Sequence, residues 1–197
     1  MLFRSIFSDQ KTEQILFLNE NGLQSISPND GKLLWKFKSK GNPILQPTLL
    51  PDNELLISMS AFNGLQRIRA TNENNEWIIS ERWTSPKFKP NHNDFVVHKG
   101  FIYGMDMTGL QCLDIENGER RWKGGRYGGQ LLLLADQDLL LILTEKGELA
   151  LVEAKPEKYK ELGRINAIKG KTWNHPVLTG NIVLVRNASE MAAFRLP

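Results

Sequence analysis

Arg126 and Tyr127 stand between two glycine pairs in GGRYGGQ (124–130), the most unusual loop composition in the chain. Glycine-rich backbone can cradle an anion through successive N–H groups. The phosphate-loop pattern G-x-x-x-x-G-K-[ST] is absent, however, and G-x-G-x-x-G needs a following helix, whereas the apolar run QLLLL (130–134) reads as a strand. The plainer reading is a crossing between two structural units that needs positive φ. The functional reading has Arg126, Tyr127 and Gln130 offered to an acidic partner or ligand. TWNHP (172–176) brings Trp173 and His175 close together in sequence. The chain has three histidines, His92, His98 and His175, and no two share a zinc-ligand spacing; His175 is read as a hydrogen-bonded residue leading into a strand. Asp94, Asp106 and Asp114 fall beside turns, where carboxylates commonly cap backbone N–H groups. No G-x-S-x-G nucleophile elbow occurs. The residue types therefore form no catalytic constellation, and no metal site is expected.

The composition narrows the classes further. The chain has 197 residues, 41% hydrophobic and 24% charged, which suits one globular domain, 1–197. Its net charge of +3 is small and scattered. The densest basic run is Lys36, Lys38 and Lys40, with Trp35 and Phe37 beside it, as on a solvated edge strand. Nucleic-acid binders usually concentrate basic charge on one face, so no nucleic-acid partner is expected. The lone cysteine, Cys112, excludes an internal disulfide and reads as a packing residue. The start, MLFRSIFSDQ, has too short an apolar run for a signal peptide. LLLLADQDLLLIL (131–143) is too short to cross a bilayer as a helix and carries Asp136 and Asp138 at its centre; it predicts two strands and a tight turn.

One phrase recurs: GLQSISPNDGKLLW (22–35), GLQRIRATNENNEW (64–77) and GLQCLDIENGERRW (109–122). Each runs from a glycine to a tryptophan, Gly22 to Trp35, Gly64 to Trp77 and Gly109 to Trp122. Gly147 in KGELALVE opens a fourth copy, and Ser189 in ASEMAAF takes the glycine place in a fifth. A period near 40 residues with strand-like content predicts stacked modular units. Short apolar runs flank each glycine, which places it in a hairpin turn where positive φ is required. NDGK (29–32) and ENGE (116–119) supply a second turn, and the strand after it carries the tryptophan. A further strand precedes each anchor, in PILQPTLL (43–50), FVVH (95–98), QLLLL (130–134) and HPVL (175–178). The segment 154–165 is read as irregular turn and strand. Four antiparallel strands per unit make a propeller blade, over units of approximately 10–42, 43–92, 93–125, 126–170 and 171–197. Trp35, Trp77 and Trp122 are expected to pack between neighbouring sheets, each burying about 200 Å² for at most about 5 kcal/mol. Lys160, beside Tyr159, takes the tryptophan place in the fourth unit.

The phrase resembles the tryptophan-docking repeat of pyrroloquinoline-quinone-like (PQQ-like) β-propellers. CLDIENGERRW (112–122) matches that repeat at Asp114, Gly118 and Trp122, and SISPNDGKLLW (25–35) at Gly31, Lys32 and Trp35. From NDFVVHKGFIYGMD onward the chain resembles the C-terminal half of bacterial repeat proteins of the outer-membrane assembly factor B-like group. The resemblance implies an all-β fold with about four to five blades of a ring that has seven or eight. It also implies missing N-terminal blades or self-association, and a periplasmic or secreted setting for the full-length protein. Quinoprotein alcohol dehydrogenases share the repeat and use adjacent cysteines and a calcium site; this chain has no adjacent cysteine pair, so neither PQQ nor Ca²⁺ is expected. The function expected is a non-catalytic binding or scaffold module for a protein or small ligand. Arg126, Tyr127, Gln130, Trp173 and His175 would stand at its channel mouth. The alternatives are a quinoprotein-type dehydrogenase subunit and a glycan-binding propeller, which would need exposed aromatic rings.

Overall fold

The structure, a computed structural model, describes the backbone of residues 3–8 and all of residues 12–59 and 63–196. Gln10 and Pro197, the outer bounds expected for the first and last repeat units, lie outside these, as do residues 1, 2 and 9 of the N-terminal stretch considered above. Two compact units divide the chain, Met1–His92 and Asn93–Pro197. Each is described by itself.

Every sheet is an antiparallel meander in which chain order equals spatial order. The first unit holds two sheets. One is built from β1 (Phe3–Ser8), β2 (Glu13–Asn19), β3 (Gly22–Ile26) and β4 (Leu33–Lys38); the other from β5 (Thr48–Leu50), β6 (Glu54–Ser58), β7 (Leu65–Glu73) and β8 (Glu76–Ser85). The second unit holds three. These are β9 (Phe95–His98) to β12 (Arg120–Gly124), through β10 (Phe101–Asp106) and β11 (Gly109–Asp114); then β13 (Gln130–Leu134) to β16 (Glu161–Asn166), through β14 (Leu139–Leu143) and β15 (Glu148–Glu153). The last is three-stranded, with β17 (Val177–Thr179), β18 (Ile182–Arg186) and β19 (Met191–Arg195). The leading strands of the second and fifth sheets are shorter than their apolar runs predict. Pro43, Pro47 and Pro176 lack the N–H that a ladder needs, and β5 and β17 begin only after Pro47 and Pro176.

The repeated glycines are required twice over. Gly22 has φ +119°, and a Cβ there would lie 2.0 Å from the Phe37 carbonyl oxygen. Gly64 and Gly109 likewise have positive φ and sit against the backbone of Ser85 and Gly125. The glycine thus lets the outgoing fourth strand pass directly over the turn. In the fourth sheet the turn is one residue longer. Gly147 sits within the turn, 2.2 Å by its would-be Cβ from the Ile168 carbonyl oxygen, and Glu148 takes the first strand position.

Register shows which residues are equivalent. Ser25 pairs with Trp35 and Cys112 with Trp122, each just before a bulge. In the second sheet the residue in that place is Arg67, and it pairs with Trp83, not Trp77. The β7–β8 hairpin is six residues longer than its counterparts, so the shared offset of Trp77 from Gly64 is a coincidence of spacing. Trp77 instead pairs with Asn72 near the hairpin tip. In the fourth sheet Leu151 pairs with Gly163, so glycine, rather than Lys160, holds the tryptophan place.

Among the described residues, stacked sheets bury hydrophobic cores within each unit. Leu16, Leu18, Leu23 and Trp35 meet Leu55, Ile57 and Met59 between the two sheets of the first unit. Trp77 still packs there, its ring centroid 6.2 Å from that of Trp35. Tyr103, Cys112 and Trp122 meet Leu140, Ile142, Ala150 and Val152 between the third and fourth sheets. Trp122 has Tyr159 against its ring at 5.9 Å, and its indole N–H donates to the Lys155 carbonyl at 2.7 Å. Cys112 is fully buried, and burial pushes its thiol up to about 12. Leu141, Leu143 and Leu149 meet Val183 and Val185 between the fourth and fifth sheets.

Candidate functional site

In an antiparallel meander the second turn and the exit crossing come out at the same sheet edge. In the second unit, hydrogen bonds join these segments into one continuous edge. The Leu110 N–H donates to the Gly125 carbonyl, the Glu145 N–H to the Tyr127 carbonyl and the Thr172 N–H to the Glu145 carbonyl. The Asn187 side-chain amide donates to the Lys169 carbonyl at 2.7 Å. The edge therefore gathers the β10–β11, β14–β15 and β18–β19 turns with the crossings 125–129 and 167–176.

The glycine-rich crossing joins the third sheet to the fourth. Gly125 and Gly128 have φ of 58° and 59°. A Cβ at Gly124 would strike the Tyr159 ring, one at Gly125 the Tyr127 ring, and one at Gly129 the Leu143 carbonyl. These glycines make room for rings and backbone. Tyr127 accordingly faces inward. It is buried and its hydroxyl lies 2.6 Å from both the Tyr159 hydroxyl and Glu161 Oε2. Burial first, then the Glu161 and Tyr159 bonds, raises its phenol well above the usual range. Arg164 lies 5.1 Å from the Tyr127 ring centroid and pairs with Glu161 and Glu148. The guanidinium, helped by the two phenols, holds Glu161 down at about 2. Gln130 is buried too, its amide oxygen accepting from the Asp94 N–H. Of this loop's three proposed ligand residues, only Arg126 reaches solvent; Tyr127 and Gln130 are spent on packing and backbone bonds.

Trp173 and His175 are both exposed. The Trp173 indole N–H donates to Glu145 Oε1 at 2.7 Å, and Lys171 Nζ lies 4.4 Å from its ring centroid. Lys171 also pairs with Glu145 at 3.1 Å. The indole bond and then the ammonium lower the Glu145 carboxyl below its ordinary range. Glu145, Lys146, Gly170 and Lys171 line a shallow open depression beside the ring. Glu145 thus links the glycine-rich crossing to the Trp173 loop, by backbone on one side and side chain on the other. Sequence reasoning passed over it, because EKGE looks like any charged turn until the crossing 167–176 is laid beside it.

Exposure of apolar groups singles out the same edge. Met107 is 93% exposed, Met191 71% and Trp173 67%, more than any other exposed large hydrophobic side chain described. All three stand on this edge, in or beside its turns and crossings. Trp35, Trp83 and Trp122, by contrast, are at most 8% exposed.

The turn aspartates cap backbone as their positions predict: Asp94 accepts from Phe95, Asp106 from Thr108 and Asp114 from Glu116. At the opposite edge His98 bonds Asp138 at 2.5 Å. Among the described residues, no group of three His, Cys, Asp or Glu side chains is placed to hold a metal ion. The single buried thiol likewise does not fit the adjacent-cysteine cradle of the quinone enzymes. No helix among the described residues is long and apolar enough to cross a membrane.

No protein-family profile matches the sequence, and no curated protein matches it. In fold the chain is similar to the crystal structure of BamB from Moraxella catarrhalis, with a TM-score of 0.66 and 13% identity over 95% of this chain. It spans 62% of the length of that chain. The likeness shows the fold, a β-propeller-like stack of antiparallel sheets. With 373 solved chains matching, the fold by itself selects no chemistry.

Proposed function

We propose that this protein is a non-catalytic β-propeller module of the PQQ-like repeat type that binds a protein partner along the Glu145–Lys171–Trp173 edge. One observation carries the reading: a tryptophan held in place by a carboxylate and an ammonium is two-thirds exposed, while the register-matched tryptophans are buried between sheets. A large ring kept rigid in solvent loses little freedom on binding, which is the property of an interface anchor. The repeat reading draws support from Trp35 and Trp122, whose matching ladder positions place both rings between stacked sheets. The similarity in fold to BamB supports a place among bacterial propellers with more blades, in the periplasm or secreted.

The test is photo-cross-linking in extracts of the source cells, with benzoylphenylalanine at position 173 and, as control, at the exposed Leu49. A discrete protein adduct at 173, absent at 49, supports the reading; equal patterns at both positions overturn it. A glycan platform is the second reading, favoured by the same exposed indole with a carboxylate and an ammonium beside it; glycan-array binding that needs Trp173 would establish it. For the quinoprotein alternative, titration with pyrroloquinoline quinone and Ca²⁺ is expected to leave the quinone absorbance unshifted. A saturating shift would restore the dehydrogenase reading.

A further inference from the structure

The partner's chemistry can be read from what surrounds the anchor. Lys171 covers one side of the Trp173 ring and Glu145 takes the indole N–H, so the ring's remaining face is what it offers to a partner. Glu145 is already matched by Lys171 and the indole. Glu190, beside the β18–β19 turn, accepts the Lys169 backbone N–H; Asp106 accepts from the Thr108 N–H and the Gln111 amide, and Glu148 pairs with Arg164. Lys146, Lys169 and Arg126 are exposed and make no ion pair among the described residues. Lys146 adjoins Glu145, Lys169 lies two residues from Lys171, and Arg126 precedes Tyr127, whose carbonyl accepts the Glu145 N–H. An apolar ring is therefore bordered by surplus positive charge. Met107 and Met191 are further exposed apolar side chains on the same edge, and methionine adapts its shape to what it meets.

We infer that this edge docks an acidic, apolar-anchored segment of a protein partner, with an aliphatic side chain on the open face of Trp173 and carboxylates at Lys146, Lys169 and Arg126. The inference rests on the protein-interaction reading above and adds the partner's charge. Charge complementarity of this kind sets register and association rate, while the buried ring supplies most of the affinity.

The experiment uses the full chain and three fluorescein-labelled peptides of equal length, each with one central leucine: one flanked by aspartate and glutamate, one by lysine, one by serine and glycine. Binding is read by anisotropy at low and at raised salt. The acidic peptide is expected to bind, to weaken with salt, and to outcompete the other two. Trp173→Ala should cost about thirty-fold in affinity, the size of a hot-spot loss. Lys146→Ala and Lys169→Ala should each cost about two- to five-fold. Thermal unfolding of each variant separates lost binding from lost folding.

Equal binding of the lysine or neutral peptide, salt-independent binding, or undiminished binding by Trp173→Ala would overturn the inference. If no peptide binds while position 173 still cross-links to a discrete protein, the interaction reading stands and the acidic-segment inference falls.

Discussion

Two glycines with positive φ make opposite demands on the chain. Gly31 has φ +72° with nothing within 4 Å of a Cβ, so Gly31→Ala meets only backbone strain, about 1 kcal/mol. Gly22 adds a 2.0 Å approach to the Phe37 carbonyl, and Gly22→Ala should cost at least about 3 kcal/mol, because backbone has to move. Urea unfolding of the two variants checks the contrast; equal losses would show that the close approach is relaxed in solution. Glu161 supplies a pH-dependent term. Its folded carboxyl, held at about 2 by Arg164 and the Tyr127 and Tyr159 hydroxyls, lies below its ordinary 4.5. A depressed carboxylate contributes stability that is complete above pH 4.5 and is lost as pH falls from there to about 2. At 25% side-chain exposure, solvent screening reduces that contribution to on the order of 2 kcal/mol. Acid unfolding of Glu161→Gln should therefore show a shallower loss of stability across that window than wild type.

At the scale of the element, the β7–β8 hairpin separates what the sequence could reveal from what it could not. The thirteen-residue step from Gly22 to Trp35 and from Gly109 to Trp122 is a true register mark, because both hairpins have the same length and the same bulge. Those two rings, the turn glycines and most strand positions were therefore legible. The second hairpin breaks the rule by growing, which moves the register position to Trp83 and carries Trp77 out to the side of Trp35. No local pattern signals that exchange, since a strand pattern reads the same whether its hairpin is long or short. The site follows the same logic. Trp173, His175 and Arg126 were visible as unusual residues, whereas Glu145 matters only because a crossing from the next sheet lies beside its turn. The hairpin's role is testable. Replacing Thr71–Ile78 with an Asn-Gly turn removes Trp77 and uncovers Trp35 while leaving the Arg67–Trp83 ladder intact. Acrylamide should then quench two indoles freely, Trp35 and Trp173, where wild type has Trp173 as its freely quenched ring. Unchanged shielding of Trp35 would mean that Trp77 is not its cover.

Across the whole molecule, stability should follow the number of sheet-to-sheet cores, since each sheet of a repeat stack is stabilised chiefly by its neighbours. Within Asn93–Pro197 the fourth sheet is packed on both faces, against Tyr103, Cys112 and Trp122 on one side and Val183 and Val185 on the other. Among the described residues of Met1–His92, the two sheets share one core, around Leu16, Leu18, Leu55 and Ile57. The second unit also has the Tyr127–Tyr159–Glu161–Arg164 network, which ties its glycine-rich crossing to β16. Local opening free energies are expected to be highest in β14 and β15 and lower in β2 and β6, although Leu16, Leu18, Leu55 and Ile57 are as buried as any residues in the chain. Native-state hydrogen exchange should show the amides of Met1–His92 opening together first and those of Leu139–Glu153 last. If instead all core amides exchanged with one common free energy, the sheets would be coupled along the entire chain, and a ledger of neighbouring pairs would be the wrong description of what holds this fold together.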